Sequence, residues 1–184
     1  MIGWIIAGAI VAIIVIWFIS SYNGFIKLRN QTEEAFSSMD VFLKKRYDLI
    51  PNFVETVKGY AKHESETLEK VIAARNMAAG STTMEDQIAN ENVFQSTLKS
   101  LFAVTEAYPD LKANTNFLML QEQLTQIESE IEKSRRFYNA VVNKYNTMTE
   151  TFPSVIVASM FSFKRKPLYE VSDATQRENV KVQF

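Results

Sequence analysis

One histidine and no cysteine limit the chemistry that this chain could perform. His63 lies beside Lys62 and Glu64, a setting typical of a solvated helix residue. A dimetal helical bundle needs paired Glu-x-x-His motifs, whereas the residue three before His63 is Tyr60. The sequence also contains no phosphate-binding glycine loop, zinc-protease motif or serine-hydrolase motif. We therefore predict no catalytic residue, no cofactor and no bound metal, in a protein that is not an enzyme.

Two proline-containing motifs concentrate charged, aromatic and amide side chains, at residues 46–52 and 108–110. In a structural interpretation, Pro51 starts a helix that Asp48 caps. In a functional interpretation, the polar side chains form a contact patch for an unknown protein partner or a second copy of the chain. The residues of this possible contact patch are Arg46, Tyr47, Asp48, Asn52, Tyr108 and Asp110.

The chain begins with an apolar N-terminal segment. Residues 2–19 carry no charge and no proline, and a helix continuing to Tyr22 is about 31 Å long, close to the thickness of a bilayer's hydrocarbon core. Trp4 and Trp17 lie near its two ends, as interfacial aromatic residues do. The alternatives are a cleaved signal peptide and a buried core helix, but no basic residue precedes the segment. Residues 1–22 are predicted to be a transmembrane anchor.

The charge distribution indicates which partners and which side of the membrane to expect. The formal net charge is −1, so the chain has no strong basic field and nucleic-acid binding is not expected. Lys27 and Arg29 follow the anchor, and no basic residue precedes it. The positive-inside rule therefore favours a single-pass protein whose remaining residues lie on the cytoplasmic side.

The first predicted helix after the anchor continues the anchor without a break. Pro51 is expected to end it near residue 47, because proline disfavours helix in the residue before it and is best tolerated in a first turn. A second helix is predicted to begin at Pro51 and to end by Gly80. Its apolar face also holds Glu64 and Arg75, which are expected to form a buried or bridging pair or, since three turns separate them, to take different partners.

Two further motifs mark the third and fourth predicted helices. Thr82 and Glu85 match the spacing of a capping box at the start of the third helix, which is expected to run to Glu106. Pro109 then stops that helix, and Asp110 is a suitable cap for the fourth. Residues 23–152 are thus predicted to form four helices.

The fourth helix carries the strongest periodicity of the chain, with positions advancing alternately by three and four residues. Short connections make neighbouring helices antiparallel, which predicts an all-α fold: one transmembrane helix that continues into an antiparallel four-helix bundle. A dimeric coiled coil is the alternative. The seam consists of Phe117, Leu120, Leu124, Ile127, Ile131, Ser134, Tyr138, Val141, Tyr145, Met148 and Phe152.

Residues 153–166 form an apolar segment, too short to span a bilayer, that ends in three basic residues. Because the fourth helix returns toward the membrane, this segment is predicted to be amphipathic and membrane-proximal, with Lys164, Arg165 and Lys166 at anionic headgroups. Alternatively, it caps the open end of the bundle. The polar tail, residues 167–184, is expected to be disordered, although residues 179–184 alternate as a strand would.

Several motifs together resemble the LemA family of bacterial membrane proteins, over nearly the whole chain. The resemblance implies a membrane-anchored antiparallel helical bundle and implies no catalytic activity. The matching segments, which include Leu49-Ile50-Pro51-Asn52 and Tyr108-Pro109-Asp110, are residues 22–23, 28–30, 45–52, 57–64, 74–76, 101, 107–114 and 136–139.

Three classes of function are compatible with these features. The preferred one is a non-catalytic scaffold or self-assembling protein at the membrane, with the lipid bilayer and further copies of itself as partners. A receptor-like module that signals through a companion protein is the first alternative. An enzyme of unrecognised type, acting at the lipid surface, is the second.

Overall fold

The computed structural model describes residues 1–169, and every regular element in that part of the chain is an α-helix. The predicted all-α fold, with one long apolar N-terminal helix followed by further helices, is confirmed. The helices are α1 (Ile2–Tyr60), α2 (Ser65–Ala79), α3 (Met84–Glu106), α4 (Pro109–Lys112), α5 (Thr115–Glu150) and α6 (Ser154–Met160).

The predicted continuity of residues 2–22 with the helix that follows them is confirmed. The predicted break at Pro51 is wrong, since the helix runs on to Tyr60. Pro51 has no N–H, so the carbonyl of Tyr47, four residues earlier, loses its helical donor. The Arg75 side chain replaces that donor, with Nε 2.9 Å from the Tyr47 oxygen. This hydrogen bond from α2 explains how the helix tolerates proline, and it also shows that Arg75 bonds to α1 and not to Glu64 as the sequence suggested.

The turns between helices differ from the predicted ones by a few residues. Thr83, not Thr82, caps α3, and its hydroxyl accepts a 3.1 Å hydrogen bond from the backbone N–H of Asp86. Asn114, not Asp110, caps α5, accepting from the N–H of Phe117 at 3.0 Å. Each cap satisfies a backbone donor that the first helical turn leaves without a partner.

The described chain forms two compact units, and α1 and α5 each contribute one part to unit 1 and another part to unit 2. Unit 1 comprises residues 1–41 and 131–168. Phe25 contacts Tyr145 edge to face at 6.1 Å between ring centroids, and Phe36 contacts Tyr138 at 5.7 Å. Since rising numbers in α1 meet falling numbers in α5, the two helices are antiparallel here.

Unit 2 comprises residues 42–130 together with Tyr169. It contains the second part of α1, then α2 and α3, the four-residue α4, and the first part of α5. Apart from the short α4, four helical segments thus follow one another through short turns. Phe53 is fully buried, with its ring 6.0 Å from Phe102 and 5.1 Å from Phe117. Contacts of this kind join α1, α3 and α5 around a single apolar core.

The heptad seam of α5 is largely used within the chain. Phe117, Leu124 and Ile131 are buried, as are Tyr138 and Tyr145 further along the helix. A coiled coil with a second copy is therefore not needed to cover these side chains. Phe152 departs from the seam because α5 ends at Glu150, and its side chain is exposed.

Candidate functional site

Of the residues predicted to form a contact patch, Arg46 and Tyr47 lie in the interior of unit 2. Arg46 has 2% of its surface exposed, and Tyr47 is also buried. They are neighbours on α1, where they follow the buried Leu43 and precede the buried Ile50, so the helix turns both into the core. Side chains in this position cannot meet a partner protein while the unit is folded.

Arg46 is held between two carboxylates. Its Nη1 donates to Glu128 Oε1 on α5 at 2.8 Å, and its Nη2 donates to Glu91 Oε2 on α3. The guanidinium also lies over the ring of Phe94, 5.0 Å from the centroid. Three helices of unit 2 are thereby joined through one side chain.

Two tyrosines complete the network at Glu91, whose side chain is buried with 2% of its surface exposed. The Tyr47 hydroxyl donates to Glu91 Oε1, and the Tyr169 hydroxyl lies 3.3 Å from Glu91 Oε2. Both carboxylate oxygens of Glu91 therefore have donors, as a buried charge requires. We call Arg46, Tyr47, Glu91, Glu128 and Tyr169 the buried polar network.

The electrostatics of this network fix its protonation. Burial alone would lower the pKa of Arg46, but the attraction of Glu91 and Glu128 outweighs burial and raises that pKa above its ordinary value. Burial, with the nearby Glu91 carboxylate, raises the pKa of the Tyr47 hydroxyl well above its ordinary value. Arg46 thus stays charged and Tyr47 stays protonated at neutral pH.

Sequence reasoning missed Glu91, Glu128 and Tyr169 as members of the network. A signal for Glu91 was present, because it lies three residues after Ile88 and three before Phe94, on the apolar face of α3. A carboxylate on such a face needs a buried cation. Glu128 and Tyr169 had no comparable signal, since neither interrupts an apolar pattern.

The other four patch residues are separated into two places. Asp48 and Asn52 are exposed on α1 and share a shallow depression of about 380 Å³ with Lys45 and Gln126. Asp48 also lies 3.7 Å from the Arg75 guanidinium. Only Asp48 and Asn52 remain together as a polar surface.

Tyr108 and Asp110 lie at α4, outside that depression. Tyr108 is the residue before the first turn of α4, and Asp110 is exposed within that turn. An acidic side chain there interacts favourably with the helix N-terminus, which accounts for Asp110 structurally. Pro109 occupies the first helical position, where its missing N–H costs nothing.

The predicted membrane-surface residues Lys164, Arg165 and Lys166 follow α6 in unit 1. Arg165 forms a 2.6 Å ion pair with Glu150 on α5. Lys166 lies 3.5 Å from Glu33 on α1. Lys164 is exposed and has no ion pair with any residue between 1 and 169.

A second depression, of about 460 Å³, lies where the end of α1 meets α2. Val54, Leu68 and Ile72 supply apolar lining, and Lys58 and Glu69 supply charge. Its size is within the range of small-molecule sites, which is roughly 300–1,000 Å³. In the part of the chain that is described, no three His, Asp or Glu side chains are grouped as metal ligands would be.

Comparison with known proteins adds a family and several relatives. The family model of the LemA family matches residues 35–184. Protein LemA of Metamycoplasma hominis is 24% identical over 160 residues, which cover 85% of this chain and 72% of that protein.

Magnetosome proteins are also similar to this chain. MamQ 2 and MamQ 1 of Paramagnetospirillum magneticum are each 21% identical over 179 residues, which cover 83% of this chain and 66% of each relative. MamQ of Magnetospirillum gryphiswaldense is 20% identical over 170 residues, which cover 78% of this chain and 62% of that protein. The matches therefore span just under two thirds of the length of these magnetosome proteins.

Proposed function

The chain belongs to the LemA family, and we propose that it is a non-catalytic, self-associating scaffold anchored in a membrane. It is a membrane-associated helical protein, with one helix long and apolar enough to cross a bilayer. The observation that carries the proposal is the exposure of the apolar side chains in the N-terminal third of α1, residues 2–22. Ile5, Ile10 and Val11 lie on different sides of the helix, and all are exposed. Only an apolar environment outside the chain would cover them.

The scaffolding role is supported by the use of polar residues in the interior and by apolar residues left on the surface. Arg46, Glu91 and Glu128 are engaged with one another in unit 2. Phe137 and Met119 on α5, in contrast, are large apolar side chains exposed to solvent. A second copy of this chain is the partner that we propose to cover these side chains.

Self-association is tested by measuring the mass of the full-length protein in mild detergent, with light scattering that separates protein from detergent. We expect a mass of at least two chains, maintained on dilution. In parallel, an amine-reactive crosslinker applied to intact membranes should give products at multiples of the chain mass. A single-chain mass in detergent, together with no crosslinked product in membranes, would refute the scaffold.

We also propose that unit 2 lies on the cytoplasmic side, because Lys27 and Arg29 follow the anchor. The chain has no cysteine, so a single cysteine at the exposed Met77 reports on sidedness without background. In intact cells a membrane-impermeant maleimide should leave Met77→Cys unlabelled, and in lysed cells it should label that variant. Labelling in intact cells would place unit 2 outside.

A receptor-like module is the second candidate, favoured by the depression between α1 and α2. Ile72→Trp would fill that space, and Met77→Trp on the exposed side of the same helix is the matched control. If the depression binds a signalling ligand, cells carrying Ile72→Trp should show the transcript changes of a deletion strain, and cells with Met77→Trp should not. Wild-type transcripts in both would remove this candidate.

A further inference from the structure

Two aromatic residues that directly follow α6, Phe161 and Phe163, pack against rings of α1. The ring of Phe161 lies 4.6 Å from Tyr22 and 6.0 Å from Phe18, measured between centroids. Phe163 stacks on Phe25 at 4.6 Å, with 14° between the ring planes. Rings packed in this way restrict α6 to one position beside α1.

This position lies at the level where hydrocarbon gives way to headgroups. Phe18 belongs to the uncharged run of α1, and Tyr22 stands about 31 Å along the helix from its start, near the thickness of a bilayer's hydrocarbon core. The first charged side chain of α1 is that of Lys27. If residues 2–22 of α1 span a bilayer, Phe161 lies at the boundary of the hydrocarbon core of that bilayer.

The outer face of α6 is apolar and uncovered. Phe152 is 82% exposed, Ile156 47% and Met160 64%. Ile156 and Met160, four residues apart, lie on one side of α6, and Phe152 lies just before the helix. Val157 and Ala158 are buried on the other side among the aromatic residues of unit 1. Exposed large apolar side chains beside the end of a membrane span are typical of a segment that lies in the membrane interface.

The basic residues contribute less to this surface than their sequence suggests. Arg165 is paired with Glu150, and Lys166 is paired with Glu33. The backbone of Lys166 is also bound on both sides by the Asn146 amide, at 2.9 Å in each direction. Of these three basic residues, Lys164 has no ion pair with residues 1–169 and is left to meet an anionic headgroup.

We propose that α6 is a second membrane contact, in which Phe152, Ile156 and Met160 insert among the lipid chains at the surface that α1 crosses. The inference rests on the proposed membrane anchoring by α1 and adds a lipid-binding surface to it. Apolar insertion supplies the attraction, so the contact forms on neutral as well as anionic bilayers.

Spin labels on single cysteines test this placement, since the natural chain has none. Full-length Met160→Cys and Phe152→Cys would be labelled and reconstituted into phosphatidylcholine liposomes, with and without phosphatidylglycerol. Collision with oxygen, which concentrates in lipid, is compared with collision with a water-soluble nickel chelate. Met77→Cys, an exposed methionine of α2 at 56%, is the matched aqueous control, and Ile10→Cys reports on the anchor.

We expect oxygen collision to exceed nickel collision severalfold at residues 152, 160 and 10, and the reverse at residue 77. Nickel access at residues 152 and 160 equal to that at residue 77 would overturn the inference. Shielding of residues 152 and 160 from both reagents would also overturn it, since a second copy of the chain would then cover α6. If residue 10 is in lipid in either case, the anchor stands although the α6 contact fails.

Discussion

Arg46 illustrates how a charged side chain is accommodated in the core of a small helical unit. Its guanidinium is buried between Glu91 and Glu128, and Tyr47 and Tyr169 supply further hydrogen bonds to Glu91. Transfer of these charges from water is costly, so the network adds little net stability compared with an apolar core. It does select one arrangement, because any shift of α3 relative to α1 leaves a buried carboxylate without its cation.

Removing the cation alone should therefore be strongly destabilising. Arg46→Met leaves Glu91 buried and unpaired, and we expect the free energy of unfolding to fall by about 3 to 5 kcal/mol. Thermal unfolding in detergent, followed by far-UV circular dichroism, measures this loss.

Two variants provide controls for that measurement. Arg46→Met combined with Glu91→Leu removes both charges and should recover most of the lost stability. Arg136→Met breaks an exposed pair with Glu132 and should leave the unfolding midpoint unchanged. A single Arg46→Met variant as stable as the wild type would mean that the network does not hold the helices together.

Tyr47 should make stability depend on pH in the alkaline range. The raised pKa of its hydroxyl means that the folded state keeps the proton at a pH where the unfolded chain, titrating near pH 10, releases it. The contribution of Tyr47 is therefore full below about pH 10 and declines as the pH rises further.

Chemical unfolding at a series of alkaline pH values tests the Tyr47 prediction. The wild type should lose stability with a steeper slope than Tyr47→Phe, which has no proton to release. Parallel slopes for the two proteins would show that Tyr47 ionises as readily in the folded state as in the unfolded chain.

At the scale of the element, α1 depends on a residue from another helix. Pro51 deprives the carbonyl of Tyr47 of its donor, and Arg75 on α2 supplies a replacement. We expect Arg75→Met to cost about 1 to 3 kcal/mol, the penalty for a part-buried acceptor left without a partner.

Pro51→Ala restores a backbone N–H that can bond to the Tyr47 carbonyl, so it should reduce the cost of Arg75→Met. A double-mutant cycle on unfolding free energies is expected to give a coupling on the order of 1 kcal/mol. Additive effects would show that Arg75 stabilises unit 2 in some other way, for example through Asp48.

The elements also show how far sequence reasoning extends. The end of α3 at Glu106, the length of α5 and the end of α2 before Gly80 follow from local signals, since caps and apolar periodicity act within a few residues. The helical Pro51 could not be foreseen, because the compensating Arg75 acts across tertiary structure. Likewise, the motif containing Arg46 and Tyr47 was readable as polar, but its burial depended on Glu91.

In the molecule as a whole, α1 contains both the exposed apolar N-terminal run and a part that packs against other helices. Composition was sufficient to predict one helix long and apolar enough to cross a membrane, because a bilayer's thickness imposes a length and a lack of charge. The buried polar network and the position of α6 beside α1 depend on contacts between residues distant in sequence, which composition does not predict. The surface proposed to contact a second copy of the chain depends on another molecule, so the sequence alone predicts it least well.

The anchor is tested most directly by the fluorescence of the natural protein. Its two tryptophans, Trp4 and Trp17, both lie in the apolar part of α1, so no substitution is needed. In liposomes we predict blue-shifted emission that lipids brominated on their acyl chains quench and aqueous iodide does not. Quenching by iodide, with no effect of brominated lipid, would contradict a membrane-spanning α1 and the scaffold built on it.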